Sequence, residues 1–93
     1  MEGDKVMDHA ETAEAAGVNL GDLDFLLKGK ATGNVADRLG VAIGDVEGFI
    51  RGSASFAMTK RLGLTAVSAA DELAQAAGTQ GAIGILIGLL LAG

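Results

Sequence analysis

The sequence predicts an all-α protein in which short helices follow one another in tandem and an apolar helix forms the C-terminal end. The first observation is that 15 glycines and no proline occur among 93 residues. Glycine within a helix costs about 1 kcal/mol relative to alanine, so these glycines are expected at helix ends or at close backbone contacts. The second observation is that apolar residues between the glycines recur at three- and four-residue spacing, which is typical of helices with one buried face. A chain of this length forms one small domain, so we expect a single helical domain over residues 1–93.

The first predicted helix pair covers residues 9–29. Its first helix, "DHAETAEAA", ends at Gly17, and its second, "LGDLDFLLK", ends at Gly29. Glycine is favoured directly after a helix because it adopts the left-handed conformation with which many helices end. The second helix carries leucines at helical spacing, namely Leu20, Leu23, Leu26 and Leu27.

A second predicted pair, residues 33–52, matches the first at a constant offset of 23 residues along the chain. Gly40 and Gly52 stand at the places of Gly17 and Gly29. The four leucine positions of the first pair are occupied in the second by Ile43, Val46, Phe49 and Ile50. We interpret this match as an internal duplication of a helix-turn-helix unit. The expected core residues are Leu23, Leu26, Val46 and Phe49.

A third, amphipathic helix is predicted over residues 64–78, as part of a more degenerate copy. Gly63 follows Gly40 at the same offset that separates Gly40 from Gly17. Ser68 and Asp71 have the spacing of a capping box at a helix start, and Gly78 is expected to end the helix. Since two short helices cannot bury a face alone, neighbouring pairs are expected to stack on one another.

The apolar tail, residues 81–93, reads "GAIGILIGLLLAG" and has no polar side chain. As a helix it spans about 20 Å, less than the roughly 30 Å hydrocarbon core of a bilayer, so it is a poor lone transmembrane helix. Gly84 and Gly88 stand four residues apart, which allows two helices to approach closely. We expect the tail to be buried between copies of the protein, through an interface of Gly81, Gly84, Ile85, Ile87, Gly88, Leu89 and Leu91. A tail that folds onto its own domain would instead favour a monomer.

The net charge of −5 is unevenly distributed along the chain. Residues 1–24 carry seven acids and one lysine, a net −6, whereas residues 25–61 carry six bases and three acids, a net +3. An acidic head and a basic middle attract one another between copies, which is one way in which identical subunits stack. The alternative is an ordinary solvated surface.

Both helix pairs resemble the helix-turn-helix of bacterial repressors. That pattern has a small residue in the first helix, glycine four residues later, a branched residue six further on and an apolar residue three after that. The matching residues are Ala13, Gly17, Leu23 and Leu26 in the first copy, and Ala36, Gly40, Val46 and Phe49 in the second. The resemblance covers about 40 of the 93 residues and implies a crossed helix pair. It also implies a DNA-binding role in which the second helix enters the major groove.

DNA recognition requires basic or amide side chains on the second helix, whereas this chain has carboxylates there. A recognition helix presents Arg, Lys, Asn or Gln to base edges. The corresponding positions hold Asn19, Leu20, Gly21, Asp22 and Asp24 in the first copy, and Ala42, Ile43, Gly44, Asp45 and Glu47 in the second. The basic side chains that could contact a nucleic-acid backbone are those of Lys28, Lys30, Arg38, Arg51, Lys60 and Arg61. Nucleic acid is therefore a possible partner but not the favoured one, and duplex binding is expected to be weak and without sequence preference.

The sequence indicates no catalytic, cofactor-binding or metal-binding residues. His9 is the only histidine and cysteine is absent, so one chain cannot form a multi-histidine or thiolate metal site. Ala31 replaces the Ser or Thr that follows the lysine of a phosphate-binding loop. Ser55 replaces the closing glycine of a nucleophile elbow. We therefore expect no enzymatic activity.

The resulting hypothesis is a non-enzymatic, self-assembling structural subunit that forms a homo-oligomer or a helical filament. The acidic head, the small-residue packing surfaces and the apolar tail are similar in composition to virion-coat and pilus-type subunits. The alternatives are a helix-turn-helix DNA-binding regulator and a peripheral membrane adaptor anchored by the C-terminus. The N-terminal segment is acidic where a secretory signal is basic and then apolar, so the expected location is the cytoplasm or an assembled particle, with membrane association through the tail as a further alternative.

Overall fold

Seven α-helices and no strand make up the part of the chain that the computed structural model describes, residues 8–76 and 78–92. The all-α prediction is confirmed. The acids that precede Asp8 and the last glycine of the tail lie outside the described residues. The helices are α1 (His9–Ala16), α2 (Leu20–Leu27), α3 (Gly33–Leu39), α4 (Ile43–Ile50), α5 (Phe56–Leu62), α6 (Ala66–Gln75) and α7 (Thr79–Ala92).

The first six helices form three pairs, each joined by a short turn that begins with glycine. The backbone angle φ is 80° at Gly17, 76° at Gly40 and 73° at Gly63. A residue with a Cβ is strained in this left-handed conformation, which explains why each first helix is followed by glycine. The three turns recur at the constant offset of the sequence pattern. The duplication itself stays an interpretation of the sequence.

The second helix of the third pair has a different cap residue from the one that the sequence pattern predicted. Its N-cap is Thr65, whose Oγ1 accepts a hydrogen bond from the backbone N of Ser68 at 3.1 Å. Ser68 is therefore the third residue of α6 and not its cap, because a threonine three residues earlier already accepts that N–H group. The helix ends at Gln75, whereas Gly78 directly precedes α7 and its carbonyl oxygen accepts from the backbone N of Ala82 at 3.1 Å. The predicted helix over residues 64–78 is corrected accordingly.

The hydrophobic core lies between the first two helix pairs and α7. Leu23, Leu26, Val46 and Phe49, the four residues expected there, are at most 1% exposed. They lie on the inner faces of α2 and α4. The third pair adds residues of its own to the buried set, chiefly Met58 and Leu73.

The apolar helix α7 packs against α1, α2, α3 and α4 of its own chain. Ala82, Ile83, Leu86 and Leu90 are buried there. This finding corrects the expectation that the whole tail lies between copies, because one side of the tail completes the core of its own domain. That arrangement is the one expected of a monomer, and only the other side of the tail is left for a contact between copies. Over the described residues, no helix combines the length and the apolar character needed to cross a membrane.

Candidate functional site

The outer face of α7 is apolar and uncovered. Successive residues of a helix are rotated by about 100°, so Gly84, Gly88 and Leu91 share a face that is opposite to the buried residues of this helix. All three are exposed, Leu91 to 42%. From Gly81 to Ala92 the helix has no polar side chain on any side. A helix that is apolar all round is normally covered on every side, so this exposed face is unusual for an isolated domain.

The structure divides the seven tail residues that were predicted to form an interface between copies. Gly84, Gly88 and Leu91 form the outer face described above, which we call the outer α7 face. Ile85, Ile87 and Leu89 are half-buried and pack against the core of their own chain. Gly81 is half-buried at the start of the helix.

The glycines of α7 differ in what surrounds them. A Cβ at Gly81 would overlap the backbone carbonyl of Ala76, so glycine is required there by the path of the chain between α6 and α7. A Cβ at Gly84 or at Gly88 would meet no atom within 4 Å. Glycine within a helix costs roughly 0.5–1 kcal/mol relative to alanine, and the fold gives no reason for that cost at these two positions.

Two arginines that were predicted as possible nucleic-acid contacts instead bind the backbone of their own chain. Arg38 Nε donates to the carbonyl oxygen of Ala16 at 3.0 Å, and Arg61 Nε donates to that of Leu39 at 3.1 Å. Each acceptor is the last residue of the first helix of the preceding pair, where helices leave carbonyl groups without an internal partner. The two bonds occupy equivalent positions of successive pairs, and they link α3 to the end of α1 and α5 to the end of α3. The sequence signal for this role was the arginine at equal positions of the second and third copies.

The other predicted bases lie on the surface. Lys28 Nζ is 3.7 Å from Asp24 Oδ2, an exposed pair that contributes little stability. Lys60 Nζ lies 5.5 Å from the centre of the Phe56 ring. Lys30 and Arg51 are exposed.

Asp22, which the helix-turn-helix pattern placed on the DNA-facing side, is used inside the protein. It is 8% exposed, and its Oδ2 accepts from Asn34 Nδ2 at 2.9 Å and from the backbone N of Asn19 at 3.3 Å. The hydrogen bond from Asn34 is the main reason that its pKa is lowered, with smaller contributions from Asn19 and Thr32, while burial acts in the opposite direction. The spacing of Asn19 and Asp22 is that of a capping box, a signal that was available in the sequence.

Two exposed apolar side chains of the third pair were not foreseen from the sequence. Phe56 is 79% exposed and Val67 is 73% exposed. Phe56 lies beside a groove of about 420 Å³, which we call the α5 groove. Its lining residues are Gly40, Val41, Phe56, Ala57, Lys60 and Arg61. No local sequence signal separates an exposed phenylalanine at a helix start from a buried one.

The described residues contain no group of three or more His, Cys, Asp or Glu side chains placed to hold a metal ion. His9 is exposed at the start of α1. The features that stand out chemically are therefore uncovered apolar surfaces and an uneven distribution of charge. No protein-family model matches the chain, and searches of curated proteins and of solved structures found no match to it.

Proposed function

We propose that the protein is a non-enzymatic structural subunit that assembles with copies of itself through the outer α7 face. The observation that carries this proposal is that α7, apolar from Gly81 to Ala92, covers the core with one side and leaves Gly84, Gly88 and Leu91 exposed on the other. Two such faces are self-complementary, so the simplest contact is a two-fold pairing of α7 helices. The predicted interface is thereby narrowed from seven residues to the three on this face.

The two glycines support close helix pairing in particular. Each costs stability in the isolated domain, and a side chain at either position would meet open space. Two helices that cross at glycines bring their backbones together, with dispersion contacts along both chains. A contact of this kind accounts for Gly84 and Gly88 because the face they share is apolar. Gly44 is equally open, but it shares its side of α4 with the acidic Glu47.

The DNA-binding alternative receives less support from the geometry. Asp22 caps its own helix, and Asp45 Oδ2 likewise accepts from the backbone N of Ala42 at 3.1 Å. Arg38 and Arg61 each use Nε in a bond to a protein carbonyl. The exposed positions of α2 include Leu20, Asp24 and Phe25, which neither attract phosphates nor offer donors to base edges.

The experiment is light scattering coupled to size-exclusion chromatography over a series of protein concentrations, with and without detergent. We expect the wild-type protein to be oligomeric without detergent, and the variants Gly84→Glu and Gly88→Glu to form smaller species than the wild type at the same concentration. The reason is that each variant places a carboxylate in an apolar contact and blocks the close approach of the helices.

Gly44→Glu is the matched control, because Gly44 is also an exposed helical glycine with no atom within 4 Å of an added Cβ. It should assemble as the wild type does. A wild-type protein that stays monomeric at high concentration overturns the proposal. Assembly that requires lipid or detergent would favour the membrane adaptor.

A further inference from the structure

The charge on the first helices of the three pairs changes sign from α1 to α5. At the equivalent positions 14, 37 and 60 the chain has Glu14, Asp37 and Lys60. At the following set of equivalent positions, 15, 38 and 61, the chain has Ala15, Arg38 and Arg61. The arginine bonds link α1 to α3 and α3 to α5, so the series of first helices has the acidic α1 at one end and the basic α5 at the other.

The basic end also has the features of a docking surface. Phe56 is 79% exposed, and the ammonium group of Lys60 lies 5.5 Å from the centre of its ring. Arg61 is held in place by its bond to Leu39, so one side of the α5 groove is fixed before any partner binds. Among the described residues, no acidic side chain lines the groove. A large exposed aromatic ring beside cationic side chains is typical of an anchor for a partner that carries both apolar and acidic groups.

We propose that the α5 groove binds the acidic α1 helix of a second copy of this chain. This inference rests on the self-assembly proposed above and adds a second contact to it. Glu14 is exposed on α1 and is the residue that we pair with Lys60 across the contact. The charge complementarity between the two ends selects this occupant.

The contact is head-to-tail, which distinguishes it from the two-fold contact through the outer α7 face. A head-to-tail contact leaves one free acidic end and one free basic end after every addition, so it continues without closing unless the rotation forms a ring. The two contacts together would join α7-paired dimers into a chain. Exposed charge pairs are screened by salt, so growth beyond the dimer should weaken as ionic strength rises.

The test compares Lys60→Glu, Glu14→Lys and the double variant Lys60→Glu/Glu14→Lys by light scattering. Each single variant should remain a dimer at concentrations where the wild type forms larger species. The association constant for growth beyond the dimer should fall by about tenfold. The double variant should regain growth, because the opposite charges are exchanged and not removed. Lys30→Glu, which makes the same charge change outside the groove, should grow as the wild type does.

The outcomes separate this inference from the proposal on which it rests. A wild-type protein that is monomeric at all concentrations overturns both. A Lys60→Glu variant that grows as the wild type does, or a double variant that stays dimeric, overturns only the α5–α1 contact. Binding of a single-stranded oligonucleotide that Lys60→Glu abolishes while growth is unchanged would also overturn it, in favour of a nucleic-acid site. Phe56→Ser tests the apolar part of the contact: it should reduce growth and keep the salt dependence of the wild type, because the Lys60–Glu14 pair is unchanged. Growth equal to that of the wild type would overturn the role of the ring.

Discussion

The first two helix pairs and the third pair share their turns but differ in how they are buried. All three have a glycine of positive φ after the first helix. At the position of Leu26 and Phe49, however, the third pair has Glu72, which is exposed. At the position of Leu23 and Val46 it has Ala69, which is buried but small. The comparison teaches that local turn chemistry determines the shape of each pair, whereas contact with α7 determines how much of its second helix is buried.

The largest expected effect comes from truncating the equivalent residue in the two regions. Phe49→Ala should destabilise the protein by about 3–5 kcal/mol, which is a large part of the stability of a domain this small. Glu72→Ala, at the matching position of the third pair, should change the free energy of unfolding by no more than about 0.5 kcal/mol. Thermal or urea unfolding measures both. An unchanged melting curve for Phe49→Ala would show that the register of the core is wrong.

The junction between the third pair and α7 gives the next effect. Gly81→Ala should destabilise by about 1–3 kcal/mol, because the new Cβ overlaps the Ala76 carbonyl and forces the junction to move. Gly84→Ala, on the next turn of the same helix, should stabilise the monomer by roughly 0.5–1 kcal/mol. Urea unfolding of dilute protein compares the two. Equal effects of both substitutions would contradict the distinction between required and unrequired glycines.

Substitution of Arg38 and Arg61 compares the attachment of the second pair to the first with that of the third pair to the second. Arg38→Ala should cost about 1–2 kcal/mol, since a charged donor to the Ala16 carbonyl is lost. Arg61→Ala should cost a similar amount if the two bonds are equivalent. Arg51→Ala, which removes an exposed arginine, is the control and should lie within about 0.5 kcal/mol of the wild type. A cost for Arg61→Ala equal to that of Arg51→Ala would show that the third pair is attached mainly by apolar contacts.

Asp22 gives the smallest effect and a dependence on pH that the third pair lacks, since Ser68 occupies the equivalent position. Its folded-state pKa is lowered, chiefly by the hydrogen bond from Asn34. Its contribution to stability is therefore present above the unfolded pKa of about 3.9 and is lost as the pH falls through the lower folded pKa. Asp22→Asn should reduce the free energy of unfolding by about 1 kcal/mol at neutral pH. It should also weaken the decline of stability in acid, and an unaltered pH profile would contradict this role.

The sequence predicted the fold class and the core of the first two pairs because their signals are local. A glycine at a helix end and apolar residues at helical spacing act within one or two turns of the chain. The surface against which α7 packs could not be predicted in the same way, since a segment that is apolar on all sides indicates burial without indicating what covers it. The bonds of Arg38 and Arg61 were missed because their acceptors belong to the preceding helix pair, far from the donors along the chain. The start of α6 and the capping role of Asp22 could have been predicted from the sequence, because both depend on pairs of cap residues three positions apart.

The packing of α7 on α1 has a consequence for the order of events in folding. The core of the first two pairs is closed by a helix that is synthesised after all six paired helices, so the inner faces of α2 and α4 stay uncovered until α7 emerges. Bringing α7 back to α1 closes a loop that contains every helix from α2 to α6, a step whose entropic cost precedes the burial that compensates for it. During that interval the chain exposes apolar surface to its neighbours, which makes it prone to aggregation. A nascent chain of this protein is therefore expected to be most prone to aggregation before α7 is complete.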